Sequence, residues 1–587
     1  MDLSSTMISR VLAHTPLAGR AQSPMVVLEI DLGRGLVTAQ PANPLAAVRA
    51  MNAPTLRALR EKLREAARDE HVAGLVLHAG TAPLTLAQAQ ELAESVARFG
   101  EHKPTLAFAP TLGEMAHDLA SYLLACSCRE VWVQPSGQVA IGGVHLGITL
   151  AKGMLAKVGV EPQMGQRHEY KTAADRLAAD EVTPANREMT QELANSLVGD
   201  FVERVAERRG LDQQVVWDAV NDSPLTPEHA KDLGLVDSVG YRDEALAHVF
   251  DSWAPEGREL DADSLRYVHR WHPGNPAGQA VKEVVERRQP AIAVVSVRGG
   301  IVTGRGRPGG MGDPESGADV VCEQLRAAAR DEKVKAVVLQ VDSPGGSAVA
   351  SDQIWRAVHQ VRESGRPVIA QMGTYAASGG YFVAMAADEV VALPATLTGS
   401  IGVLAGKMVT TGLYDKLGLV HEAVTSGANA DMLASDSHFS PEQWDRLNWW
   451  LDRIYADFTH KAAADRGMAH DELEPLARGR VWTGRDAQSR GLVDHLGGME
   501  VAVERACDKA GLTRDKVQLK YLPALGMLER FRPAESSEQP TAAGAMTVGV
   551  ADSWTPELML TQLAQRLGLA APRGALEMPR LAGWTHG

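Results

Sequence analysis

At 587 residues the chain is far above single-domain size, and its 45% hydrophobic and 22% charged composition is ordinary for a soluble globular protein. A formal net charge of −14 argues against a phosphate-binding surface, so nucleic acid is not expected as a partner. Of the four cysteines only Cys126 and Cys128 are close, inside an apolar run; buried thiols in a reducing compartment are expected, no disulfide framework, and no zinc spacing.

Met1 to Arg20 has no apolar core of signal-peptide length, being broken by Arg10, His14 and Pro16. Nowhere does the sequence run 18 consecutive apolar residues, so no spanning helix is expected. The compartment expected is the cytoplasm, with peripheral contact at the inner face of the cell membrane.

Further along, the chain repeats itself. Leu63 to Gly80 reads LREAARDEHVAGLVLHAG and Leu325 to Asp342 reads LRAAARDEKVKAVVLQVD, with ten of 18 positions identical at an offset of 262. Each copy predicts an amphipathic helix, a polar Arg-Asp-Glu turn and an apolar strand, a unit of an α/β layer fold. Lys103-Pro104 before TLAFA answers Arg366-Pro367 before VIAQM. Tyr122 and Glu130-Val-Trp-Val answer Tyr381 and Glu389-Val-Val-Ala, and Gly234-Leu-Val-Asp237 answers Gly491-Leu-Val-Asp494. Order is kept throughout, which identifies a tandem duplication.

The divisions expected are an N-terminal segment 1–24, a first repeat 25–252, a linker 253–289, a second repeat 290–522 and a tail 523–587. VKEVVERR before Pro290 reads as helical, AIAVVSV after it as a strand, and Gly304 to Gly317 as a mobile Gly/Pro-rich loop. The tail is expected to be poorly ordered, with one helical piece from Pro556 to Leu569 and no chemistry.

Between Arg366 and Val403 a strand over Val368–Met372 leads into a small-residue turn, Thr374 to Gly380, and a helix from Tyr381 to Ala387. Ser378 thus stands between strand and helix with Ala377 and Gly379 beside it, where a substrate backbone could approach a nucleophile. Taken alone it reads as a helix cap. The first half argues otherwise, because there the turn is four residues longer between proline and tyrosine, and the matching position falls near Leu119. Ser343-Pro-Gly345-Gly346-Ser347, a tight turn able to aim N–H groups into a cleft, likewise becomes Thr81-Ala-Pro-Leu-Thr85.

A nucleophilic serine needs a base. His359, His421, His438 and His460 all lack a small-residue setting. Lys171, in EYKTA of the first half, falls on Ala430 of the second at the offset of 259 that aligns Lys157 with Lys416. One half keeps the serine turns and the other keeps the lysine. Desolvation and hydrogen bonding beside a serine would favour the neutral amine that a base requires.

GTYAASGGYF, VDSPGGS, TLTGSIGV and EYKTA, spread over a duplicated chain, resemble the long form of the signal peptide peptidase A (protease IV) family of S49 serine peptidases, over roughly Met25 to Leu522. The resemblance implies two tandem α/β domains of the ClpP/crotonase-like fold and a Ser–Lys dyad assembled between them, with no cofactor and no metal. It implies Ser378 as nucleophile and Lys171 as general base, with an oxyanion hole from Gly379 and from Gly345 or Gly346, and Ser400 supporting the lysine. It also implies a homo-oligomer, a tetramer in the family, acting on peptides such as signal-peptide remnants. The family's long form commonly begins with a membrane-anchoring helix, which is not read here. Two other readings stay open: a crotonase-like acyl-CoA enzyme, and an inactive scaffold or membrane-stress partner.

Overall fold

The computed structural model describes residues 25–34, 36, 54–80, 84–114, 116–273, 289–306 and 315–523, together with the backbone at 576–577. Two sheets carry the two halves, the first parallel and the second parallel except for one antiparallel edge strand. The first comprises β1 (Val26–Asp31), β2 (Val72–His78), β3 (Thr105–Ala109), β4 (Glu130–Val133), β6 (Ser238–Val239) and β7 (Leu265–Tyr267), in the order β6-β4-β3-β2-β1-β7. Part of the segment expected as a linker is therefore sheet, since β7 pairs with β1.

The second sheet is built from β8 (Ala291–Arg298), β11 (Val334–Ser343), β13 (Val368–Ala377), β14 (Glu389–Ala392), β15 (Leu397–Gly399), β17 (Val481–Thr483), β18 (His495–Leu496) and β19 (Gln518–Tyr521). Its order is β17-β15-β13-β11-β8-β19, with β14 joining β13 to β18. Strands such as AIAVVSVR and VKAVVLQVDS are apolar on both faces because helices cover both, as parallel sheets require.

The covering helices follow the repeat. In the first half α1 (Leu56–Ala66), α2 (Leu86–Gly100), α3 (Leu119–Ala125) and α4 (Pro184–Arg209) close one face and α5 (Arg242–Trp253) the other. In the second, α6 (Ala318–Arg330), α7 (Ala348–Glu363), α8 (Gly379–Ala384) and α9 (Pro441–Arg466) face α10 (Met499–Ala510) across the sheet. The duplication extends to single hydrogen bonds. Tyr122 Oη donates to Leu235 O at 2.8 Å, and Tyr381 Oη donates to Leu492 O at 3.0 Å. Arg209 pairs with Asp237, which accepts from Val131 N; Arg466 pairs with Asp494, which accepts from Val390 N. Both long helices open on a capping hydroxyl and a proline, Thr183-Pro184 and Ser440-Pro441, and end on a left-handed glycine, Gly210 and Gly467.

A two-stranded antiparallel ribbon crosses between the halves, β5 (Glu161–Gln166) against β16 (Leu404–Val409), over six residue pairs. A small sheet of β10 (Glu315–Gly317), β9 (Gly300–Val302), β12 (Gly345–Gly346) and β20 (Leu576–Glu577) lies beside the second sheet. The residues expected as a loop up to Gly317 thus end in a strand paired with β9. The helices expected over VKEVVERR and Pro556 to Leu569 lie outside the described residues. Among the described residues no helix is long and apolar enough to cross a membrane, and no group of His, Cys, Asp or Glu could hold a metal ion. All four cysteines are free and buried.

Candidate active site

Ser378 sits at the junction of β13 and α8, with φ 56° and ψ −115°, a left-handed conformation that costs a non-glycine residue roughly 1–3 kcal/mol. Backbone bonds hold it there: Ser378 N donates to Gly399 O at 2.8 Å, and Phe382 N donates to Ser378 O at 2.9 Å. β13 runs on to Ala377, so the residues expected as a turn, Thr374 to Ala377, are strand, and the reversal is confined to Ser378 itself. The extension has a local cause. Half-buried Asp342, at a register shift in β11, accepts from Tyr375 N at 3.1 Å, and β15 pairs with Tyr375 to Ala377 from the other side. Burial holds the Asp342 carboxyl above its ordinary pKa, against the pull of Arg298.

Lys171 arrives from the first half. Its Nζ stands 2.7 Å from Ser378 Oγ and 3.0 Å from both the carbonyl oxygen and Oγ of Ser400. All three residues are fully buried. Ser400 is itself left-handed, at φ 49°, and its N–H donates to Arg480 O at 2.6 Å. A neutral amine has two N–H groups and one lone pair. Donating both to Ser400 would leave the lone pair for the Ser378 hydroxyl proton.

The EYKTA segment is clamped to the second half on both flanks. Arg478 makes a bidentate pair with Glu169 at 3.0 and 2.8 Å, and Arg480 pairs with Glu188, which also accepts from Tyr170 Oη. Upstream, Arg167 donates to Asn448 O at 2.6 Å and pairs with Asp452. The closest approach is at Gly479, where a Cβ would lie 2.5–2.6 Å from Lys171 N, Cα and Cβ. Gly402 is also required, since a Cβ there would meet Gly479 Cα at 2.8 Å and Lys171 Cδ at 3.3 Å. Sequence reasoning missed both glycines. Their signal was the GSIG and ARGR small-residue contexts, which say nothing of a partner hundreds of residues away.

β12 lies against the nucleophile turn. A Cβ on Gly379 would stand 3.2 Å from both Gly345 Cα and Gly346 N, and 2.7 Å from Ser351 Oγ. Gly345 N donates to Ser343 Oγ at 3.2 Å, while Ser343 Oγ donates to Gly299 O at 2.6 Å. The neighbouring Ser347 N donates to Ile301 O on β9 at 2.8 Å. Successive amides of an extended strand point to opposite sides, so the Gly346 N–H is directed away from β9. The Gly345 amide is thus engaged within the loop and that of Gly346 is turned outward. Ser343 was not singled out in the sequence, although it fixes this difference.

Among known proteins, the model of peptidase family S49 matches residues 98–252 and 360–513, and that of Clp protease matches residues 314–398. The chloroplastic serine protease SPPA of Arabidopsis thaliana is 30% identical over 505 residues, which cover 84% of this chain and 71% of that one. Protease 4 of Salmonella typhi is 31% identical over 402 residues, 67% of this chain and 62% of its own length. Protease 4 of Haemophilus influenzae is 29% identical over 419 residues, 69% of this chain and 64% of its own length. The match thus spans less than two thirds of either Protease 4.

Proposed function

Because this chain belongs to peptidase family S49, a family of serine proteases, we propose that it is an endopeptidase working through a dyad of Ser378 and Lys171. The observation that carries the reading is the 2.7 Å approach of Lys171 Nζ to Ser378 Oγ, between two buried residues from opposite halves. In this mechanism Lys171 takes the Ser378 hydroxyl proton as Oγ attacks a peptide carbonyl carbon. The Gly379 and Gly346 N–H groups receive the developing oxyanion. As the C–N bond breaks, Lys171 returns the proton to the leaving amine, and a water activated by the same amine hydrolyses the acyl-enzyme. Ser400 orients the base. Extended apolar peptides, signal-peptide remnants among them, are the substrate class. A site whose backbone donors are glycines recognises main chain and has little means of reading polar side chains.

A fluorophosphonate probe tests the reading in the full chain. Wild type should label at Ser378 and cleave an extended fluorogenic peptide. Ser378→Ala and Lys171→Ala should each lose activity by several orders of magnitude while keeping the wild-type melting profile. The double variant should be no worse than either single, as residues acting as one unit are strongly non-additive. Near-normal turnover in Lys171→Ala would rule the dyad out. Absence of labelling in folded wild type would favour the acyl-CoA or scaffold readings.

A further inference from the structure

Where the lysine segment meets the serine half, two residues other than glycine hold left-handed backbone, His168 at φ 64° and Arg478 at φ 52°. Such conformations persist only where surrounding contacts over-determine them. Here those contacts interlock across the halves. Arg478 Nε and Nη2 donate to Glu169 at 3.0 and 2.8 Å, two residues before Lys171. Its Nη1 donates to Glu474 at 3.1 Å and its backbone N–H to Tyr455 Oη at 3.2 Å, while the His168 ring lies 4.6 Å from the Tyr455 ring. The next two residues reach the site itself. Gly479 lies against the Lys171 backbone with no room for a Cβ, and Arg480 O accepts from Ser400 N at 2.6 Å. Glycine would adopt φ 52° without strain, so what an arginine adds at 478 is its side chain, and that side chain goes to Glu169.

We propose that Arg478 is a positioning residue acting through Glu169: the pair latches the segment that bears Lys171 and fixes the reach of its Nζ to Ser378 Oγ. The proposal rests on the peptidase reading of Ser378. Proton transfer needs heavy atoms within about 2.6–3.2 Å, so a small shift of this segment takes the base out of range. The Arg478 and Glu169 side chains are 33% and 45% exposed, and an ion pair so placed adds little to stability. Its bidentate fork instead fixes distance and direction together. The β5–β16 ribbon and the Arg480–Glu188 pair join the halves on either side of this point, so the latch can open without the halves parting.

The test compares full-chain Arg478→Gly, Glu169→Ala and the double variant with wild type. Glycine suits the backbone at 478, so the melting temperature of Arg478→Gly should match that of wild type. In each single variant kcat on an extended fluorogenic peptide should fall about ten- to a hundredfold at unchanged KM, because a displaced base slows the chemistry and the backbone donors are untouched. The double variant should be no slower than the slower single, and Arg478→Lys, which keeps the charge without the fork, should recover part of kcat. Amide hydrogen exchange over residues 168–172 should quicken wherever the latch is cut. Unchanged kcat or exchange, additive losses, or a fall in kcat that follows a fall in melting temperature would overturn the proposal. Quickened exchange among folded proteins of which none, wild type included, cleaves peptide or labels would support the latch and overturn the peptidase reading instead.

Discussion

At the scale of single residues the proposed chemistry depends on the protonation of Lys171. Full burial penalises an ammonium more than an amine, and Ser400 offers acceptors that suit either form. The kcat/KM profile should therefore rise with pH on an ionisation below that of free lysine, about 10.4, and then flatten. Ser400→Ala removes one acceptor and leaves the carbonyl, so it should cost less activity than Lys171→Ala. The competing source of a rising limb is a histidine. His168 lies three residues before Lys171, beside the Tyr455 ring, and its pKa is lowered by burial and then by Arg478. Profiles of wild type, Ser400→Ala and Lys171→His on one peptide separate the two. A wild-type limb at or below the ordinary histidine value of about 6.5 that Lys171→His leaves in place would assign the ionisation to a histidine.

At the scale of elements, the charged end of β14 carries a measurable share of stability. Glu389 accepts from Arg505 at 2.7 and 2.9 Å and lies 3.1 Å from both Lys509 and His495. The Arg505 hydrogen bonds, opposed by desolvation and helped by Lys509, bring its pKa down to about 2. A carboxylate depressed in the folded state stabilises above its unfolded pKa and loses that contribution as pH falls through the folded value. Glu389→Gln should thus melt below wild type at pH 7, by a stability difference of at most about 3 kcal/mol. The gap should close between pH ~5 and pH ~2 in thermal scans across that range. A gap independent of pH would show that the loss is one of packing. The bonds tie β14 to α10, so the change acts on one face of the second sheet and leaves alone the ribbon that leads to Lys171.

At the scale of the whole molecule, the halves are joined by more than a chain. Besides the β5–β16 ribbon, Arg60 Nη2 donates to Tyr521 Oη at 2.8 Å, Ala395 N donates to Gln90 Oε1 at 3.0 Å, and buried Asp200 pairs with Arg485 at 2.9 Å. Ala87 and Leu197 of one half pack on Leu393 and Ala395 of the other. Each half brings one member of the proposed dyad. Residues 1–270 and 280–587 produced separately should be inactive, and their co-expression should restore cleavage, measured on the same fluorogenic peptide. Activity from residues 280–587 alone would exclude a site shared between halves.

The duplication, the α/β layering and the singling out of Ser378 and Lys171 were all legible in the amino-acid order. A repeated unit must bury the same face twice, and a chemical group kept in only one copy stands out against the other. Secondary structure was less legible where tertiary contacts override local preference. Thr374 to Ala377 look like a turn, yet they are strand because Asp342 and β15 satisfy their backbone. Glu315–Gly317 is strand only because β9 lies beside it. What the tertiary structure alone decided is which groups meet: Gly479 and Gly402 against Lys171, Ser343 on the Gly345 amide, and Leu576–Glu577 against β12. These are pairings of backbone, or of residues small enough to admit it. A backbone amide is the same in every residue, so its partner is set by how the sheets and ribbon bring distant segments together.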